Sequence, residues 1–195
     1  MPARALRHRL SRLVLLLPAL AACDKVPITS VAFRIEDPWA IAQGAMPLPV
    51  AVIGHPFVGP PARFDETVVR TMGEAITWNR GARFVLVPAE SIGAGLRIIT
   101  VFDDSDRGAS LAHCGQLADS VEIGAGTPPP QNGTGGVKIG GVKIRMQAVF
   151  CDGDRLLADV SGRLGRADGP DDGPFLALVR QVTGDLLRPP PAPRP

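Results

Sequence analysis

The sequence predicts an α+β domain: a mainly antiparallel sheet with two helices packed on one face, preceded by a signal peptide and a tether. Three observations carry this. Residues 142–165 alternate apolar and polar side chains on both sides of Cys151-Asp152-Gly153-Asp154, the pattern of a β-hairpin turning at Asp-Gly. Two segments, 64–78 and 171–188, instead place apolar residues three and four apart, as a helix with one buried stripe does. Short apolar runs between turn residues, at 49–54, 82–87 and 96–102, read as strands. The order strand, helix, strand, strand, hairpin, helix lets both helices cover one face of the sheet.

The segment 23–46 is irregular and broken by Pro27 and Pro38, so it reads as a tether. Within it Val31-Ala32-Phe33-Arg34-Ile35 alternates, and Val31, Phe33 and Ile35 would share one face of a short edge strand. The domain spans 47–188 and opens with the apolar run Pro49 to Gly54. A helix follows. Phe64, Val68, Met72, Ala75 and Ile76 form its stripe, while Asp65, Glu66, Arg70 and Glu74 occupy other faces; acids near its start suit the helix dipole. Asn79 to Gly81 stops it, and in the next strand Phe84 and Leu86 share a face.

Leu96 to Phe102 is nearly continuously apolar and rich in β-branched residues, which predicts a central strand covered on both sides. Beyond it, Thr127-Pro128-Pro129-Pro130 runs into Gly133-Thr134-Gly135-Gly136 as a low-complexity loop, and Val137 to Ile144 reads as a glycine-interrupted strand. In the closing helix, Asp171 or Asp172 is the expected cap, Pro174 suits the first turn, and Phe175, Leu178, Val182 and Leu186 make the stripe. Residues 189–195 form a proline-rich tail with nothing to pack.

A chain of 195 residues fits one hydrophobic core. Apolar content of 45% with 21% charged residues excludes a chain disordered throughout, while 22 glycines, 20 prolines and no tyrosine imply many turns and a modest core.

The N-terminus has a different chemistry. Arg4, Arg7, Arg9 and Arg12 come with no acid, and Leu13 to Ala22 is apolar. Ten residues make a helix of about 15 Å, roughly half the hydrocarbon thickness of a bilayer, so this is an export signal and not a span. It ends in Leu20-Ala21-Ala22-Cys23, which resembles the lipobox of bacterial lipoproteins. The resemblance implies removal of residues 1–22, diacylglycerol on Cys23 and, in many species, acylation of the new amine. Two or three acyl chains anchor a protein stably, so Cys23 alone would tie residues 23–46 to a membrane. The alternative is an ordinary secretory signal cleaved at the same small residues, with Cys23 incidental. Asp24 favours the inner membrane in enteric bacteria, a rule that varies between lineages, so inner or outer membrane stays open. The expected location is the cell envelope, facing the periplasm. Loss of the four leader arginines takes the formal charge from +2 to −2, which argues against nucleic acid as a partner.

With Cys23 assigned to lipid, Cys114 and Cys151 remain as a pair in an oxidising compartment, and a disulfide is the economical expectation; the alternative is two buried thiols. That bond would also remove Cys114 as a nucleophile beside His113, a neighbour poorly placed to serve as its base. Asp103, Asp104 and Asp106 lack the glycine and acid spacing of an EF-hand and read as a solvated turn. Asp168, Asp171 and Asp172 read as loop and cap, and His55-Pro56 follows a strand end, a common place for functional residues, yet one histidine without partners reads as structural. No cofactor or metal is implied. The leading expectation is a non-enzymatic binding or assembly module whose partners are the membrane, through Cys23, and an envelope protein or polymer met at a sheet edge. The alternative is an envelope enzyme with an unfamiliar site around His55, Asp104 and His113. At fold level only, the element order resembles the small α+β domains of periplasmic assembly lipoproteins.

Overall fold

The computed structural model describes residues 25–103, 114 and 142–191. It shows the expected α+β architecture: β1 (Ile28–Arg34), α1 (Pro38–Gln43), β2 (Leu48–Ile53), α2 (Pro61–Ala75), β3 (Phe84–Leu86), β4 (Leu96–Asp103), β5 (Val142–Asp152), β6 (Arg155–Ala167) and α3 (Gly173–Leu186). The six strands form one open sheet in the order β1-β6-β5-β4-β2-β3. Pairings β1–β6, β6–β5 and β5–β4 are antiparallel, whereas β4–β2 and β2–β3 are parallel.

The hairpin is where alternation places it, with Gly153 at φ +57° in the turn, a left-handed conformation that glycine adopts without a Cβ penalty. Phe64, Val68 and Met72 of α2, four residues apart, and Phe175, Leu178, Val182 and Leu186 of α3 all enter one core. From the sheet this core takes Val50, Ile98, Met146, Ala148, Phe150, Val160 and Leu164. Gly162 lets α3 settle onto β6: a Cβ there would stand 2.6 Å from both Leu178 Cδ1 and Val182 Cγ2.

The opposite face carries a smaller buried cluster of Ile99, Val101, Val149, Cys114 and Cys151, so β4 is covered on both sides as its composition predicts. Cys114 is joined to Cys151 by a disulfide, and Arg97, buried beside them, donates from Nη2 to the Cys114 carbonyl at 2.6 Å.

Three expectations change. The segment 23–46, read as a tether, does hold the expected short edge strand, over 28–34, but also forms an unexpected short helix that buries Trp39 and Ala42. Pro27 and Pro38 flank β1, where a missing N–H costs no ladder bond. Neither Asp171 nor Asp172 caps α3 through its side chain: the Asp172 carboxylate accepts from the Asp168 amide at 3.1 Å, and Asp171 pairs with Arg63. Finally, α2 begins at Pro61, which leaves Asp65 and Glu66 beyond its first turn, where the dipole acts weakly.

Candidate functional site: a histidine corner and two open sheet edges

His55 lies just past the C-terminal end of β2, close to where the parallel strands part: the chain reaches β3 on one side of β2 and β4 on the other. Gly54, at φ +83°, turns the chain out of β2 toward α2. His55 Nε2 lies 3.0 Å from Asp65 Oδ1, and its ring meets Phe64 edge-on with centroids 5.5 Å apart. Burial raises the Asp65 carboxyl above its ordinary value, against the opposing pull of the His55 charge and hydrogen bond. Beside the pair, His55, Phe57, Arg63, Phe64 and Asp171 line a hollow of about 160 Å³. Arg63 Nη2 binds Asp171 Oδ2 at 2.7 Å across it. Four rings, Phe57, Phe64, Phe102 and Phe175, make the apolar wall behind.

Cys23, Asp104 and His113 lie outside the described residues, so His55 is the one member of the anticipated enzyme constellation with a described setting. Its partner Asp65 was not anticipated. The two are ten positions apart with a proline-rich loop between them, and no local periodicity brings them together. Among the described residues, no group of three or more His, Cys, Asp or Glu gathers in metal-binding geometry.

The sheet is open at both ends. At one end β1 pairs only with β6; at the other β3 pairs only with β2, among the described residues. Of the eight large apolar side chains exposed among the described residues, Val26, Ile28, Val31 and Phe33 belong to β1 or its approach, and Val85 and Leu86 to β3. Thr29 anchors β1 from the helical side, where its hydroxyl donates to Asp185 Oδ2 at 2.7 Å; Arg34 donates to the Asp185 carbonyl at 2.8 Å. Beside β3, an open groove of about 600 Å³ runs against α2, lined by Val69, Gly73, Phe84 and Leu86 and rimmed by Arg70 and Arg83. Phe84 and Leu86 read as one face of a strand, but nothing local in the sequence marks that strand as an edge.

The fold and these features define a class: a small α+β domain with a mixed sheet open at both edges. Comparison adds a likeness to a solved structure. A point variant of the PelC dodecamer from Paraburkholderia phytofirmans is 11% identical, with a TM-score of 0.44, over 83% of this chain and 98% of that one. A second crystal form of the PelC dodecamer is 12% identical, with a TM-score of 0.40, over 86% and 100%. Likeness of this degree fixes no function. No protein-family profile and no curated protein matches the chain.

Proposed function

We propose that this chain is a lipoprotein of the bacterial envelope, tethered through lipid on Cys23, whose domain is a non-enzymatic binding or assembly module for an envelope protein or polymer. One observation carries the binding role: among the described residues, exposed apolar side chains concentrate on the two unpaired edges of the sheet, where a protein that works alone normally places charge, proline or cover. The Leu20-Ala21-Ala22-Cys23 motif supports the lipid anchor. Among the described residues, no helix is long and apolar enough to cross a membrane.

The intact mass of the protein extracted from membranes, wild type against Cys23→Ala, tests the address. A lipid-sized increment lost in the variant is expected, and an unmodified Cys23 would overturn it. Cross-linking in membranes tests the binding role, and a chain that captures nothing at either edge would end it.

A second reading, an envelope enzyme with a site around His55, Asp104 and His113, is favoured by the His55–Asp65 pair next to a hollow. Turnover of an envelope substrate that is abolished by His55→Ala would establish it.

A further inference from the structure

We infer that the two sheet edges fit each other, so that β1 of one copy adds to β3 of the next and continues the sheet from molecule to molecule. This rests on the binding-module reading and names the partner as a second copy of this chain. Strand direction comes first. From β3 inward the strands run parallel through β2 and β4, then reverse at β5, β6 and β1 in turn, so β1 runs opposite to β3. Two copies set side by side with their helices on the same face therefore bring β1 and β3 together antiparallel, which needs no inversion of either copy.

The side chains agree on both faces. Val31 stands opposite Val160, and Leu86 opposite Val50; both partners belong to the core under the helices, so Val31 and Leu86 lie on the helical face of their edges. Phe33, opposite Asp159, and Val85, opposite Pro49, lie on the other face. Setting Phe33 against Val85 matches apolar to apolar there and carries Val31 toward Leu86 on the helical side. All four are exposed, at 45%, 46%, 44% and 36%. In the same antiparallel sense Glu36, just past β1, approaches Arg83, just before β3; among the described residues neither is in an ion pair.

The backbone is also prepared. Leu48 N donates to Arg83 O and Val87 N to Val50 O, both at 2.9 Å, so the odd residues of β3 point their polar groups inward and alternation leaves those of Phe84 and Leu86 facing outward. The bulge between Val31 and Phe33 and the three-residue length of β3 keep the ladder short, so matched side chains must supply most of the contact. Because each copy offers two different edges, the contact is head-to-tail.

The test uses the full chain, made with its own leader and extracted from membranes. Copies bearing Phe33→Cys are mixed with copies bearing Val85→Cys under mild oxidation, since directly opposed residues of an antiparallel pair come within disulfide reach. The expected result is a covalent dimer in the mixture at least about tenfold more abundant than in either variant alone. Glu36→Arg in the first variant lowers the yield, and Arg83→Glu in the second restores it. An equal dimer from Phe33→Cys alone, which means two β1 edges pairing, overturns the inference. So does the absence of any dimer. Capture of a different envelope protein at Val85→Cys, with no copy–copy product, overturns the self-contact but leaves the binding-module reading standing; capture of nothing removes both.

Discussion

A Cβ placed on Gly54 would stand 2.1 Å from the carbonyl oxygen of Phe102, so the chain leaving β2 presses directly on the backbone of β4. At φ +83°, Gly54 also holds a conformation that an L side chain adopts only under strain. Gly54→Ala should therefore lower stability by roughly 3 kcal/mol or more, because backbone strain and a backbone clash act together and neither can be relieved by a rotamer change. Gly184 is the control. It sits in α3 with nothing within 4 Å of an added Cβ, and Gly184→Ala should stabilise by about 0.5–1 kcal/mol. Urea titrations of both variants check this, and equal midpoints would refute the contrast.

The disulfide from Cys114 to Cys151 closes a loop with a sequence separation of 37 and fastens residue 114 to the face of the sheet opposite the helices. Loop-closure entropy places its contribution near 3.5–4 kcal/mol, an upper figure when the reduced chain keeps residual structure. A Cys114→Ala/Cys151→Ala double variant should unfold at a clearly lower urea concentration. Reductant should bring the wild type to about the same midpoint, and a midpoint indifferent to reductant would show that the bond holds nothing.

The parts of this fold legible in the sequence are those set by local period. The hairpin of β5 and β6 and the stripes of α2 and α3 follow from alternation and from fourfold spacing, and each appears within about three residues of its expected bounds. Strand order is different, because nothing within 48–53 or 84–86 records that β2 sits between β3 and β4; that depends on contacts across the chain. Hence Phe84 and Leu86 were legible as one face but not as an edge. β1 was half legible: Val31 and Phe33 alternate, yet the bulge between them sends the two side chains to opposite faces instead of the shared one that simple alternation predicts. His55 is legible as a strand-end residue, whereas Asp65 reads as a polar-face acid near the start of a helix, with nothing to pair it with His55.

Asp185 should prove the main fastening of β1. It is 8% exposed, and its carboxylate accepts from the Thr29 hydroxyl and from Arg188, while its carbonyl accepts from Arg34. Asp185→Ala removes the acceptor of the Thr29 O–H, whose oxygen still accepts from Gln181 Nε2 at 3.1 Å, and should cost about 1–3 kcal/mol. Thr29→Val removes the other partner of the same bond, so the double variant should cost less than the sum of the two. Hydrogen exchange should localise the loss, with amides of β1 exchanging faster and those of β4 unchanged; a uniform change would contradict a local fastening.

The Asp65 carboxyl makes stability depend on pH in a direction opposite to that of most paired acids. Burial raises its folded-state value above 3.8, so between 3.8 and that higher value the unfolded chain has released a proton that the folded chain still holds. Stability from this group is complete below 3.8, is lost as pH rises through the window, and stays lost above it. Asp65→Asn removes the titration while keeping an oxygen for the His55 hydrogen bond. The stability of Asp65→Asn relative to wild type should therefore be lowest at the acid end and should rise with pH before levelling off, as followed by thermal unfolding between about pH 3 and 6. A relative stability of Asp65→Asn that falls with rising pH would mean that the His55 pairing outweighs burial and holds the carboxyl below its ordinary value; a relative stability independent of pH would mean that the two cancel.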